Sequence, residues 1–222
     1  MTLKAIIFGS IGTLVETSDL QRRAFNQAFA EAGLDWNWDI DAYKRLLTKS
    51  GGHLRIKDYA TQCGIEVDTN QLHRRKTEVF DALMTKQSIS LRPGVSSVIN
   101  YAIDREIKLA FATTTSTANI DALFFALDVQ LKRDDFNFIG NNSMVPNPKP
   151  SPDIYQKVLS ALQLAAQDCI AIEDTATSMK SALAANLRCI AFPGDFALSN
   201  DFSGAVLITN DLSPENLSGV RD

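Results

Sequence analysis

A chain of 222 residues, 45% of them apolar, can bury one sizeable core or a core with a small satellite, and its net charge of −4 gives no electrostatic reason to expect a nucleic-acid partner. No apolar stretch approaches the ~20 residues that span a bilayer, and the N-terminal run lacks the longer apolar region and cleavage site of a secretory signal. Cys63, Cys169 and Cys189 form an odd set without C-x-x-C spacing, which argues against a structural metal and for buried free thiols in a reducing, cytoplasmic compartment.

In chain order, Ala5–Phe8 reads as a short buried strand running into a tight turn. From about residue 16 to 87 the pattern is helical, with no convincing strand. Gln21–Ala32 sets Phe25, Ala28, Phe29 and Ala32 at helical spacing and stops at Gly33, and Asp41–Leu47 and Leu72–Met84 follow. Leu91–Val95, punctuated by Pro93 and Gly94, marks the return to the core. Apolar strand signals at Leu109–Thr113, Cys169–Glu173, Cys189–Phe192 and Ala205–Ile208 then alternate with helical patterns at Val95–Asp104, Ala118–Phe125, Pro152–Leu162 and Thr177–Ala185. This alternation predicts an α/β fold with a Rossmann-like parallel sheet. The core would comprise residues 1–15 and 88–222, with 16–87 inserted as a helical cap over the ligand end of the sheet.

In such sheets ligands bind beyond the carboxyl ends of the strands. Thr113-Thr114-Thr115-Ser116 puts four hydroxyls at a helix start, where free backbone N–H groups suit a phosphate oxygen. Lys149, held between Pro148 and Pro150, offers a fixed positive charge to the same anion. Glu173-Asp174 pairs two acids at a strand end, a set that suits Mg²⁺. Each also has a plainer use: a helix N-cap, an exposed loop lysine, and a turn in which Asp174 caps the next helix.

Taken together, Leu109–Ser116, Lys149-Pro150-Ser151-Pro152-Asp153-Ile154-Tyr155 and Ile170–Thr175 resemble the second, third and fourth motifs of the haloacid dehalogenase hydrolase superfamily. Within it the chain is similar to the β-phosphoglucomutase-like group, particularly the CbbY-like phosphosugar phosphatases. Ala30-Glu31-Ala32-Gly33-Leu34-Asp35-Trp36 and Gly51-Gly52-His53-Leu54-Arg55-Ile56 resemble CbbY cap segments. The resemblance implies a phosphorylated small molecule as ligand, such as a sugar phosphate, held by Thr113, Thr114 and Lys149. Arg55 would grip a distal group, with His53 standing where the group has a lysine. It also implies Mg²⁺ on Glu173 and Asp174.

The first motif departs from the family. The family reads D-x-D-G-T-L, whereas this chain has Gly9-Ser10-Ile11-Gly12-Thr13-Leu14. Gly9 and Ile11 therefore stand at the nucleophile and acid/base positions, and neither can attack phosphorus or move a proton. The loss also weakens any metal site. Strand alternation would turn Ser10 away from the pocket, unless the turn that follows re-aims it as a substitute nucleophile. Glu16 and Asp19 reach the cleft only if the cap closes, and His53 offers a base on the cap side, a lone histidine being more often a surface or binding residue. Asn186 stands where the family has glycine and suits a left-handed helix end. Three functions stay open: a phosphosugar-binding relative without the standard hydrolysis, a hydrolase using a metal-activated water or another nucleophile, and a non-catalytic binding or scaffold protein.

Overall fold

The structure is a computed structural model that describes residues 2–47 and 51–218. Among them a six-stranded, wholly parallel sheet runs in the order β3-β2-β1-β4-β5-β6. Its strands are β1 (Ala5–Phe8), β2 (Lys108–Ala112), β3 (Phe138–Gly140), β4 (Cys169–Glu173), β5 (Arg188–Ala191) and β6 (Leu207–Ile208). β1 lies at the centre, pairing with β2 on one side (Ile6 with Leu109) and β4 on the other (Ile6 with Ile170). The chain order reverses across β1, so a crevice opens at its carboxyl end.

Period-2 alternation gives the two sheet faces different textures. Ile6, Phe8, Leu109, Phe111, Ile170, Ile172 and Ile190 present bulky groups to one core cluster. That cluster takes in α6 (Val95–Asp104) and α7 (Thr117–Ala126). Ala5, Ile7, Ala110, Ala112, Cys169, Ala171 and Cys189 present smaller ones on the opposite face. There α8 (Asp153–Leu162) and α9 (Ala176–Ala184) settle close to the strands through Ile154, Tyr155, Val158, Met179 and Ala182.

Between β1 and α6 the chain makes the short turn α1 (Ile11–Leu14) and then four helices: α2 (Ser18–Glu31), α3 (Ile40–Leu46), α4 (Gly52–Cys63) and α5 (Thr69–Lys86). Phe25, Phe29, Trp36, Trp38, Tyr43, Ile56 and Leu72 form their own aromatic cluster. Leu20, Ala24, Val79, Phe80 and Met84 instead join the core under the sheet, so the inserted helices are anchored to the strands by two of their number. Gly94 starts α6 with φ of 79°, and a β-carbon there would run into the Leu212 backbone, which explains the Pro-Gly return.

The expected strands are all present within two residues at each end, while β3, only three residues long, was too short for a periodic signal. α4 also goes beyond the three helices expected in the insertion, because Gly51-Gly52 reads as a turn rather than a helix start. Asn186 takes the expected left-handed conformation, with φ of 60°. The cysteine expectation needs correction: Cys169 and Cys189 are buried free thiols, but Cys63, at the end of α4, is exposed. No helix among the described residues is long and apolar enough to cross a membrane.

Candidate functional site

The carboxyl ends of β1 and β4 lie side by side. Gly9 continues the row Ala5, Ile7, and Glu173 continues Cys169, Ala171, so both belong to the small-residue face toward α8. From that side come Lys149, in the loop before α8, and Tyr155, in its first turn. Lys149 Nζ donates to the Gly9 carbonyl oxygen and to Glu173 Oε1, each at 2.5 Å. Tyr155 donates its hydroxyl to the same Oε1 at 2.5 Å. Glu173 is wholly buried and Lys149 is 6% exposed, so the ion pair is shielded from water.

Burial pushes the Glu173 carboxyl up to about 7, with the Lys149 charge pulling the other way. Burial first, and then the Glu173 charge, drives the Tyr155 hydroxyl well above its ordinary value. Glu173 Oε2 has no hydrogen-bond partner among the described residues. Gly9 is a requirement of space: a β-carbon there would fall inside the Glu173 carboxyl group. The Glu173 side chain occupies the room that a larger residue at position 9 would need.

Asp174, half-buried, points off the strand end over Gly12, where a β-carbon would collide with its carboxylate. Its Oδ1 accepts from Ser10 Oγ at 2.7 Å. Burial raises its pKa, with Ser10, Lys149 and Arg92 opposing. Ser10 thus corrects the alternation argument. The extended strand stops at Phe8, and Ser10 has become the N-cap residue of α1, which turns its hydroxyl onto Asp174. Ile11 packs into the core beneath the bulky face. Arg92 ties the site together: its guanidinium donates to the carbonyls of Gly12 (2.9 Å), Phe192 (2.8 Å) and Pro193 (2.5 Å) and stacks 3.5 Å from the Phe192 ring centre.

At the end of β2, Thr113 is buried and its Oγ1 accepts from the Thr115 N–H at 3.2 Å, while Thr114 is half-buried. Ser116 caps α7 by accepting from the Asn119 N–H at 3.2 Å. Oriented to satisfy its neighbours, the Asn119 amide accepts from Thr115 Oγ1 at 2.7 Å and donates to Asp81 Oδ1 at 2.9 Å, which ties α5 to this strand end.

The described contacts of Arg55 and His53 lie within the inserted helices. Arg55 is buried with its guanidinium 5.8 Å from the Phe25 ring centre and 5.5 Å from that of Tyr43, and its Nε donates to the Leu46 carbonyl at 3.0 Å. His53 Nε2 pairs with Thr69 Oγ1 at 2.9 Å and lines an open depression with Lys57, Thr61 and Asn70. A third basic group accompanies them. Lys76 on α5 is buried, 4.8 Å from the Phe25 ring centre and 4.9 Å from that of Phe80, and donates to Gln21 Oε1. Burial, reinforced by Arg55, lowers the Lys76 ammonium to about 7, while Asp81 pulls it back. Burial and the charge of Lys76 lower His73 to about 4, which leaves it neutral at pH 7.

Glu16 and Asp19 are engaged elsewhere: Glu16 accepts from the Ser18 and Asp195 N–H groups at 2.7 Å each, and Asp19 pairs with Arg22 at 2.8 Å. For Mg²⁺ the donor set is short. Glu173 Oε1 is shared by an ammonium and a phenol, Asp174 Oδ1 takes a hydroxyl, and no cluster of three or more His, Cys, Asp or Glu among the described residues could hold a metal ion.

Residues 6–192, from β1 through the end of β5, match a family model described as haloacid dehalogenase-like hydrolase. The chain belongs to that family. Among relatives it is similar to protein CbbY of Cereibacter sphaeroides, 42% identical over 206 residues that cover 91% of this chain and 90% of the relative. Protein CbbY, plasmid, of Cupriavidus necator is 37% identical over 93% of this chain and 84% of the relative. The crystal structure of CbbY from Rhodobacter sphaeroides in complex with phosphate superposes with a TM-score of 0.86 at 39% identity, covering 95% of both chains. A mutant of that protein in complex with xylulose-(1,5)bisphosphate gives the same score, identity and coverage. This is therefore a CbbY-type member of the haloacid dehalogenase-like hydrolases.

Sequence reasoning overlooked three residues of this haloacid dehalogenase-like site. Lys76 carried no motif, and its signal, a lysine at helical spacing from Leu72, Val79 and Phe80 on the apolar stripe of α5, is easily read as a solvated charge. Arg92 was absorbed into a turn. Tyr155 was read as part of a motif, without a contact of its own.

Proposed function

We propose that this chain keeps the phosphosugar cleft of the CbbY-like group and does not turn its ligand over through an aspartyl-phosphate. The observation that carries this reading is the filled room at Gly9. Where the resembled first motif has its attacking aspartate there is no side chain, and the Glu173 carboxylate, paired with Lys149, sits in that space. At the second aspartate position Ile11 is part of the core, so a proton donor for the leaving oxygen is missing as well.

A phosphorylated sugar as ligand is supported by the CbbY structures with phosphate and xylulose-(1,5)bisphosphate. It is supported too by the basic groups of the inserted helices, residues 16–87, which we read as a cap. Arg55 and Lys76 converge on Phe25, and burial, with the Arg55 charge adding to it, depresses the Lys76 ammonium, a cost that a bound anion would relieve. In this reading Arg55 and Lys76 hold a phosphate of the ligand, His53 borders the cap side, and Thr113 and Thr114 offer hydroxyls at the strand end. Lys149 serves Glu173 first, so the cap carries most of the anion affinity.

Titrating xylulose 1,5-bisphosphate into the protein by calorimetry tests this. Saturable binding is expected, weakened at least tenfold in Lys76→Met. A flat titration in the wild type contradicts the proposal.

One contact favours a second reading. The Ser10 hydroxyl bonded to Asp174 is the arrangement a substitute nucleophile would need. If so, phosphate release from a sugar phosphate would persist in the wild type and vanish in Ser10→Ala.

A further inference from the structure

Two acids and two bases meet at the strand ends: Glu173 and Asp174, Lys149 and Arg92. Lys149 is in direct contact with Glu173, and the Arg92 charge acts on Asp174 while its donors fasten the Gly12, Phe192 and Pro193 carbonyls. In their ionised forms these four carry no net charge, and Glu16 and Asp195 add negative charge close enough to act on Arg92. Aspartates at positions 9 and 11, as in the resembled motif, would add two negative charges, and two charges are what one divalent cation neutralises.

We infer that this centre does without a divalent cation: Glu173, filling the room left by Gly9 and paired with Lys149, stands in place of the aspartate–metal arrangement, and Mg²⁺ has no site here. The geometry supports the exchange at each donor. Both Glu173 oxygens lie within the volume a β-carbon at Gly9 would claim, so the observed pairing and a larger residue at position 9 are mutually exclusive. Glu173 Oε1 already accepts from Lys149 and Tyr155. The Lys149 ammonium lies against the one carboxylate that could share a cation with Asp174, and it would repel a metal held there. Ser10 takes one Asp174 oxygen, and position 11 supplies an apolar side chain to the core. Mg²⁺ demands near-ideal octahedral oxygen coordination, and the side-chain oxygens left over are Asp174 Oδ2 and Glu173 Oε2, the latter buried under Gly9.

The inference concerns the metal and stands apart from ligand binding, so its test contains no sugar phosphate. Mn²⁺, a spectroscopically visible stand-in for Mg²⁺, is titrated into the wild-type chain and followed by electron paramagnetic resonance. No saturable binding up to millimolar Mn²⁺ is expected, or only binding that Asp174→Asn leaves unchanged. The double variant Gly9→Asp/Ile11→Asp is expected to bind Mn²⁺ at least tenfold more tightly than wild type, with the native circular dichroism spectrum as its control. Should the double variant not fold, the single variant Gly9→Asp is read in its place. Saturable wild-type binding that Asp174→Asn abolishes overturns the inference. A folded Gly9→Asp/Ile11→Asp chain with no gain in Mn²⁺ affinity overturns it as well, because the missing charges would then not be what excludes the metal.

Discussion

At the strand ends the buried Lys149 ammonium lies against the buried Glu173 carboxylate, and half-buried Arg92 is close enough to act on half-buried Asp174. In the inserted helices the described contacts of the buried cations are of another kind. Lys76 faces aromatic rings and the Gln21 amide, and Arg55 faces Phe25, Tyr43 and the Leu46 carbonyl. Both groups sit in low dielectric, where an ion either finds a counter-ion or shifts toward its neutral form. Lys149 and Glu173 are in direct contact, although burial still raises Glu173 to about 7, whereas Lys76 has its opposite charge, Asp81, acting only from a distance and is lowered to about 7. The difference separates an ammonium already in contact with a carboxylate from one, Lys76, able to gain from an external anion.

The largest expected effect breaks the satisfied pair. Lys149→Ala removes the counter-ion of the buried Glu173 carboxyl. It should lower unfolding free energy by about 3–5 kcal/mol in urea titrations at about pH 9, where Glu173 is ionised in the wild type, and by less below its value of about 7, where the carboxyl protonates. Replacing both partners, Lys149→Met with Glu173→Leu, should bring stability back to within about 1 kcal/mol of wild type or above it, since apolar groups can fill a buried ion-pair site. If the single variant cost no more than an exposed salt bridge, the pair would not be buried as described.

A smaller effect is expected from Gly9→Ala. Its β-carbon forces Glu173 off Lys149, at a cost of about 1–3 kcal/mol, and no phosphatase activity should appear. A neutral Gly9→Ala substitution would show that the room at Gly9 is not filled.

Removing the unsatisfied charge should act in the opposite direction. Lys76→Met is expected to stabilise the free protein by on the order of 1 kcal/mol at pH 7. The pH dependence carries the signature of this charge. The Lys76 ammonium titrates near 10.5 in the unfolded chain and at about 7 in the folded one, so between those values the unfolded chain keeps a proton that the folded chain has released. Stability from this group is complete above about 10.5, declines as pH falls toward 7 and is flat below. Lys76→Met should remove that slope, and a slope unchanged by the substitution would assign it to other groups.

Much of the architecture was legible because it is periodic. Apolar strand signals marked β1, β2, β4, β5 and β6, and helical patterns marked α2, α3 and α5 through α9. The grouping of Lys149, Glu173 and Asp174 at neighbouring strand ends followed from parallel-sheet topology, which brings residues far apart in sequence to one edge. What the sequence hid depended on side-chain direction and partner choice. Alternation failed at Ser10 because the strand ends two residues earlier. That Glu173 turns toward Gly9 is a packing outcome with no local code. Lys76 was hidden because a lysine on an apolar helix stripe looks the same in sequence whether its ammonium snorkels to water or is trapped between rings.

The central claim, binding without turnover, is tested most directly by incubating one sample with xylulose 1,5-bisphosphate and measuring bound ligand and released inorganic phosphate together. Saturable binding at about one ligand per chain is expected, with phosphate release no faster than in the absence of protein. Release of several phosphates per chain, abolished in Asp174→Asn, would contradict it.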